Sequence, residues 1–171
     1  MGEYIPFEFC RNLAASYGIG GSFTFGEEAK VLRTEKFPFG VSICYEETFG
    51  NMMRMSRQNG AEVLVNLTSD VWYPDSTLAK QHFDHARIRT VEAGIPLLRS
   101  CNTGITCGVD SLGNVVADLP EYDSSGNWNA DSLYVSVPKF HYNTLYSRLG
   151  DVPIIGFCLI ASLGLFFRRR Q

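Results

Sequence analysis

The chain has 171 residues and a formal net charge of -3, from 15 Lys and Arg against 18 Asp and Glu. This length suits one domain or part of a larger one, and the near-neutral charge gives no electrostatic footprint for nucleic acid. The 45% hydrophobic content excludes intrinsic disorder, and a mean hydropathy of -0.04 excludes a polytopic membrane protein. Five cysteines without a CxxC pair indicate neither a disulfide-dense domain nor a zinc site.

The predicted elements alternate between strands and helices. The first 29 residues are rich in loops, with a short amphipathic piece near residues 7–17 and no visible signal-peptide pattern. Apolar runs bounded by turn residues then predict strands at 31–32, 39–44, 62–67, 95–100, 105–109, 115–119 and 132–137. Helical patterns cover 47–58 and 77–93, and residues 110–114 form a hairpin signal. This order predicts an α/β fold in which helices cover a sheet.

The end of the chain is its most apolar part. Residues 152–167 carry no charge and precede Arg168, Arg169 and Arg170. The run is slightly short for a membrane span, which usually needs about 20 residues, so a buried core helix is the alternative. A soluble helix normally has a polar face, which this one lacks. We therefore predict one transmembrane helix in residues 151–171, with a cytoplasmic basic tail and a domain of residues 1–150 on the other side.

Cys44 is the candidate nucleophile. It follows a buried strand and precedes a segment that favours helix, so it lies at a carboxyl strand end where α/β sheets place reactive groups. A helix N-terminus there favours a thiolate and an oxyanion, and Glu46 and Glu47 follow directly. The alternative is that Cys44 is a small buried hydrophobic residue.

Several segments resemble a known family. Ile43-Cys44-Tyr45-Glu46 resembles the nucleophile segment of the nitrilase, or carbon–nitrogen hydrolase, superfamily. Other segments, in the same order along the chain, resemble its apolipoprotein N-acyltransferase branch: GEYIP at 2–6, SDVW at 69–72, QHF at 81–83, ARIR at 86–89, PLLRS at 96–100 and NTGIT at 102–106. The closing apolar helix and the Arg-rich tail also fit this branch, so the resemblance covers almost the whole chain.

This resemblance implies an αββα sandwich, here incomplete at its N-terminus, carried by a membrane-embedded helical bundle. It implies that a cysteine takes an acyl chain from a phospholipid as a thioester, which the amine of a diacylglyceryl-modified apolipoprotein then attacks. No cofactor or metal is implied. The implied location is the bacterial inner membrane, with the catalytic domain in the periplasm.

The resemblance also assigns roles to residues. Cys44 matches the nucleophile, and Glu3 matches a glutamate that helps to orient the catalytic groups. The backbone N–H of Tyr45 would be an oxyanion donor, Glu46 matches the glutamate two residues after the cysteine, and Trp72 matches a loop at the active-site mouth. The family's general-base glutamate and its catalytic lysine precede the GEY segment. We therefore expect a fragment, a split gene product or a misannotated start that is inactive alone.

Other interpretations stay open. A soluble amidase or nitrilase and a non-catalytic remnant are the alternative functions, although the apolar tail and the GEYIP match argue against the first. His82 and His85 are spaced for shared metal ligation, but a third ligand is not evident. Arg87, Arg89 and Glu92 suit a structural salt-bridge set better than phosphate ligands. Cys101 and Cys107 flank a turn that contains glycine, and we expect them to be unpaired.

Overall fold

A computed structural model describes residues 5, 7–18, 26, 28–72, 76–120, 122, 124–126 and 129–168. The helices are α1 (Glu8–Ser16), α2 (Gly50–Gln58), α3 (Leu78–Ala93), α4 (Leu145–Leu149) and α5 (Val152–Arg168), with a 3₁₀ turn at Cys44–Thr48. The strands are β1 (Val31–Arg33), β2 (Pro38–Ile43), β3 (Val63–Thr68), β4 (Leu97–Cys101), β5 (Thr106–Val109) and β6 (Val115–Leu119).

The six strands form one mixed sheet in the order β1-β2-β3-β4-β5-β6. Strands β2, β3 and β4 are parallel because α2 and α3 carry the chain back across the sheet between them. The outer pairs are antiparallel. In the predicted hairpin, the Asp110 carboxylate accepts hydrogen bonds from the backbone N–H groups of Leu112 and Asn114 at 2.9 and 2.8 Å. The predicted α/β fold is confirmed, with a mixed sheet.

Helices α2 and α3 cover one face of this sheet. At Gly40 a Cβ atom would lie only 2.8 Å from Ser56 Cβ, so the missing side chain lets α2 approach β2 closely. Helix α3 ends at Gly94, which adopts φ 68° and so closes the helix in the left-handed region. The buried apolar side chains between the helices and the sheet are Met53, Ala61, Leu64, Phe83, Ala86, Ala93, Ile95, Leu97, Cys107 and Val109.

The opposite face of the sheet has a different cover. Side chains alternate along a strand, so Phe39, Val41 and Ile43 point away from the helices. Ile43 is 65% exposed there. Residues 134–139 line a cavity with Phe39, Val63 and Leu98, which places that segment over the sheet face.

The predicted strand at 132–137 is wrong. Residues 129–144 join no strand pair. Val135 instead packs directly over Gly108 of β5, where a Cβ atom would collide with Val135 Cγ1. The segment therefore contacts the sheet through side chains, because its backbone crosses the face and does not run beside an edge strand.

Two further predictions concern the fold class. The described residues form one sheet, so the second sheet of an αββα sandwich stays a prediction. Helix α5 has 17 residues and no buried side chain. Within the part of the chain that the structure describes, no helix combines the length and the apolar character that a membrane crossing requires. The predicted transmembrane helix is therefore not confirmed, and Arg169 and Arg170 lie outside the described residues.

Candidate active site

Cys44 lies where the sheet meets a cavity. The parallel strands β2 and β3 end side by side, which brings Cys44 next to the loop that begins at Ser69. A cavity of about 580 Å³ opens there, and its lining residues are Cys44, Tyr45, Ser69, Asp70, Trp72, Leu78, Gln81, His82 and His85. The structure thus brings together three of the predicted site residues, Cys44, Tyr45 and Trp72.

The backbone at Cys44 has an unusual conformation. Its φ is 51°, and among the described residues it is the only position other than glycine with a positive φ. A side chain in this left-handed region clashes with the following carbonyl and costs about 1–2 kcal/mol. Such strain persists where the surrounding structure holds it, and it concentrates at functional sites. The abrupt change from β2 to a 3₁₀ turn therefore presents the Cys44 side chain at the cavity wall.

Two side chains hold this turn. Asn66 of β3 is completely buried, and its Nδ2 donates to Cys44 O and to Ser42 Oγ, both at 3.0 Å. The Glu46 carboxylate accepts a hydrogen bond from Ile43 N at 2.7 Å. These contacts fasten the residues on both sides of the strained position, which stabilises a conformation that the backbone alone disfavours.

Among the described residues that line the Cys44 cavity, Glu46 is absent. Glu46 lines a separate cavity with Lys30, Leu32 and Val41, while its carboxylate caps the turn. The observed contact of Glu46 is thus with the backbone of the turn. Glu3 lies outside the described residues.

The two aromatic residues take different positions. Trp72 is 78% exposed at the mouth of the cavity. Tyr45 packs its ring 5.7 Å from the ring of His82 and edge-on to Phe49 at 6.0 Å. Tyr45 is the second residue of the 3₁₀ turn, where the geometry leaves a backbone N–H without an acceptor inside the turn.

The Cys44 thiol has a sparse polar environment. Its Sγ lies 3.9 Å from the carbonyl oxygen of Ser69. Among the described residues, no carboxylate or imidazole forms a hydrogen bond with Sγ. The residues that the structure describes therefore supply no general base in contact with this thiol.

A buried cluster of four charged residues lies behind the cavity wall. We name Glu47, Asp70, His82 and Arg99 the ionic cluster; none is more than 6% exposed. Arg99 Nε lies 3.0 Å from Glu47 Oε1, and Arg99 Nη2 lies 3.3 Å from Asp70 Oδ2. His82 lies between the same carboxylates, with Nδ1 2.7 Å from Asp70 Oδ1 and Nε2 3.0 Å from Glu47 Oε1.

The cluster shifts the protonation equilibria of its members. Burial disfavours the charged imidazole, but the carboxylates of Asp70 and Glu47 outweigh this effect and raise the pKa of His82 to about 9. Burial also works against ionised Asp70, yet the hydrogen bond from His82 and the charge of Arg99 lower the pKa of Asp70 below its usual value. At neutral pH His82 thus carries a positive charge and Asp70 a negative one.

No sequence-based expectation included this cluster. A signal was present in β4, where Arg99 interrupts an otherwise apolar buried run and requires a buried acidic partner. The alternative of metal ligation by His82 and His85 gains no support, since both nitrogens of His82 face carboxylates. The described residues contain no group of three or more side chains arranged to hold a metal ion.

The remaining cysteines are free thiols. Cys101 Sγ donates to Thr103 O at 2.7 Å, and burial raises the pKa of Cys101 to about 11. Burial likewise raises the pKa of Cys107 to about 12. Both thiols stay protonated at neutral pH, which makes them weak nucleophiles.

Comparisons with known proteins agree with this geometry. The carbon-nitrogen hydrolase family profile matches residues 8–126. The apolipoprotein N-acyltransferase of Chlamydia pneumoniae is 42% identical over 95% of this chain and 32% of that protein. The apolipoprotein N-acyltransferase of Haemophilus influenzae is 34% identical over 100% of this chain and 33% of that protein. The chain therefore spans about a third of the length of these curated relatives.

A solved structure shows the same fold. The carbon-nitrogen hydrolase from Helicobacter pylori G27 matches with a TM-score of 0.51 and 15% identity, over 57% of this chain and 41% of that chain. At this identity the likeness concerns the fold alone. Since the family profile covers more than half of the chain, and the curated relatives that match almost all of it are apolipoprotein N-acyltransferases, the chain belongs to the carbon–nitrogen hydrolase family.

Proposed function

We propose that this chain carries the nucleophile of an apolipoprotein N-acyltransferase and that Cys44 is the acylated residue. The observation that carries the proposal is the strained Cys44 at the end of β2, with φ 51°, in the wall of a cavity whose mouth holds Trp72. The acyl donor is a phospholipid, and the acceptor is the N-terminal amine of a diacylglyceryl-modified apolipoprotein. The relatives' name supports this assignment.

The first step forms a thioester. The Cys44 thiolate attacks the ester carbonyl of the phospholipid, and the backbone N–H of Tyr45 donates to the oxyanion of the tetrahedral intermediate. When the intermediate collapses, the ester C–O bond breaks. The lysophospholipid leaves as an alcohol after it takes up the proton that the thiol has given to a general base.

The second step transfers the acyl chain. The α-amine of the apolipoprotein attacks the thioester carbonyl, the C–S bond breaks, and the Cys44 thiolate leaves. The amine loses one proton, which the departing thiolate takes up to restore the thiol, and the product is an amide. A thioester suits this exchange because a thiolate is both a good nucleophile and a good leaving group.

Other residues take supporting roles in this proposal. Glu46 holds the turn through its hydrogen bond to Ile43 N and so keeps Cys44 in its strained conformation. Glu3 orients the catalytic groups, as the family resemblance implies. Exposed Trp72 offers a flat apolar surface to acyl chains at the cavity mouth.

The proposal also covers the arrangement at the membrane. Residues 1–150 form the catalytic domain, on the periplasmic side of a bacterial inner membrane, and a second sheet covers the exposed part of the sheet face near Ile43 to complete an αββα sandwich. Helix α5 is about 25 Å long. Its exposed side chains include Ile154, Phe157 and Ile160, which favours lipid as its surroundings. We propose that residues 151–171 anchor the chain in the membrane, with the Arg-rich tail on the cytoplasmic side.

An activated ester tests the nucleophile directly. The chain in detergent is incubated with p-nitrophenyl palmitate, which needs little help from a general base, and peptide mass spectrometry maps the thioester. We expect the acyl group on Cys44 and none in Cys44→Ala, while Cys101→Ala is acylated like the unaltered chain. Acylation of Cys101 or Cys107 without Cys44 would contradict the proposal.

Phospholipid is the second donor to test. The described residues place no base on Cys44, and general-base help is typically worth about 10²–10⁴ in rate. We therefore expect phospholipid to acylate the 171-residue chain far more slowly than a protein that also contains the region preceding it in the relatives. The acceptor is a diacylated lipopeptide. Release of free fatty acid without N-acylation would mean that water, and not the amine, attacks the thioester, as in the alternative function of a hydrolase.

A further inference from the structure

The ionic cluster joins two segments that both reach the Cys44 cavity. Glu47 belongs to the 3₁₀ turn that begins at Cys44, and Asp70 belongs to the loop that carries Trp72. These two carboxylates belong to separate segments of the chain. They are connected through the side chains of His82 on α3 and Arg99 on β4.

Each attachment point is close to a residue that lines the cavity. Glu47 is three residues after Cys44 within the same short turn. Asp70 is two residues before Trp72, and its backbone N–H is bound to Thr103 O at 3.1 Å. A displacement of either carboxylate is therefore transmitted to the cavity wall over a short length of chain.

The charge balance explains why both cations are needed. Arg99 alone faces two buried carboxylates, and a single guanidinium leaves one negative charge without compensation. An unpaired charge in a dry interior is strongly disfavoured. A protonated His82 completes the balance, because it carries the second positive charge. Its Nδ1 is hydrogen-bonded to Asp70 Oδ1 at 2.7 Å, and its Nε2 lies 3.0 Å from Glu47 Oε1 without a hydrogen bond. Arg99 Nη2 also lies 3.2 Å from Nδ1, so the carboxylates hold the two cations close together. The neighbouring Cys101 thiol, 3.6 Å from Asp70 Oδ2, is neutral.

We propose that His82 is a positioning residue which ties the Cys44 turn to the Trp72 loop and thereby keeps Trp72 beside Cys44 at the shared cavity. The role as nucleophile assigned to Cys44 rests on the proposed function. The connection between the two segments does not, so the experiment measures their separation without acyl transfer.

The separation is read from a fluorescent bimane on Cys44, which an adjacent indole quenches. Cys10 and Cys158 are replaced by Ser, and Trp128 by Phe, so that Trp72 is the remaining tryptophan of the two in the chain. Peptide mapping verifies that the label is on Cys44. We expect the labelled chain to be quenched, and Trp72→Phe to raise its fluorescence several-fold.

Three variants then separate positioning from general stability. His82→Gln removes the cation while it keeps a polar side chain, and we expect it to lose most of the quenching. His82→Gln combined with Asp70→Asn removes one cation and one anion, so we expect it to recover quenching and melting temperature. Phe83→Leu, in the same helix but in the apolar core, is the matched control, and we expect it to melt earlier while it stays quenched.

The inference is overturned if His82→Gln stays as quenched as the unaltered chain while its melting temperature falls, because the cluster is then merely structural. It is also overturned if Trp72→Phe leaves the fluorescence unchanged, since Trp72 is then not held near Cys44. Acylation of the unlabelled forms of these variants by p-nitrophenyl palmitate provides the link to catalysis. Failure of Cys44 to become acylated, with the quenching pattern as expected, contradicts the proposed function alone.

Discussion

Helix α3 carries one set of charged side chains near its start and another near its end, and the two sets differ in burial. His82 belongs to the ionic cluster, in which the side chains are 0–4% exposed. Arg89 pairs with Glu92 at 2.6 Å, but their side chains are 12% and 26% exposed. Arg87, predicted to join that pair, instead donates to Gly113 O at 2.7 Å.

The comparison shows that similar ion pairs have different consequences. Solvent screens the Arg89–Glu92 pair, and burial raises the pKa of Glu92 although Arg89 opposes that shift, so the pair has little net stabilising effect. The ionic cluster cannot be hydrated by solvent, so each of its charges depends on the others. The set beside the Cys44 cavity is therefore the one in which a single substitution has a large effect.

The largest expected effect comes from removing a guanidinium. Arg99→Leu leaves Glu47 and Asp70 with one cation, and we expect a loss of about 3–5 kcal/mol in the free energy of unfolding, measured by urea denaturation. The matched variant Arg89→Leu removes the same group from the partly exposed pair and is expected to cost no more than about 1 kcal/mol. Equal losses in the two variants would contradict the view that burial makes the ionic cluster more sensitive to substitution than the Arg89–Glu92 pair.

A pH titration of stability is expected to show the next largest effect. The pKa of His82 is about 9 in the folded chain, above its ordinary value of 6.5, so folding binds a proton. The stabilisation is fully present below pH 6.5 and is lost as the pH rises through 9, with a size on the order of 3 kcal/mol. Cys101 and Cys107, whose folded pKa values are also raised, act in the same direction but at higher pH.

His82→Gln provides the control for this titration. The variant has no group that titrates at this position, so its stability is expected to be flat between pH 6.5 and 9. Arg89→Leu is expected to keep the full pH dependence. A slope in that window that is the same in His82→Gln as in the unaltered chain would mean that another group carries it.

The smallest expected effect concerns backbone strain at two left-handed positions, Cys44 and Gly94. Cys44 has φ 51° with a side chain, whereas Gly94, which closes α3, has φ 68° without one. Cys44→Gly relieves the left-handed strain and is expected to be about 1 kcal/mol more stable than Cys44→Ala. Gly94→Ala is expected to cost at least about 1 kcal/mol, because its Cβ also meets the carbonyl of Tyr142. Both differences are measured by urea denaturation. Equal stabilities of Cys44→Gly and Cys44→Ala would show that the turn is not strained.

Much of the fold was predictable because the signals are local. The apolar runs and the turn residues locate β1 to β6 within one or two residues, and Gly94 ends α3 as expected. The predicted helix at 47–58 is instead a 3₁₀ turn and α2, separated at Phe49, whose ψ of 97° is extended. The strand predicted at 132–137 fails because β-forming residues also suit an extended segment that crosses a sheet face.

The site was predictable in part. Cys44, Tyr45 and Trp72 share a cavity, as expected from residues at the carboxyl ends of neighbouring parallel strands. Glu46 is two residues from Cys44 and yet lines another cavity, because its carboxylate turns back to the Ile43 backbone. A distance along the chain does not specify the direction of a side chain.

The sequence alone determined the α/β class, the apolar C-terminal helix and the identity of the candidate nucleophile, because periodicity, turn residues and motif order depend on neighbours in the chain. Only the tertiary structure decided that Glu47 meets Arg99, 52 residues away, and that His82 bridges Glu47 to Asp70. It likewise decided that Asn66 and Glu46 hold Cys44 in a left-handed conformation. The physical reason is burial. The strength of charge pairing depends on how completely packing excludes water, and backbone strain persists only where packing restrains the chain. That packing joins segments that are far apart in the sequence.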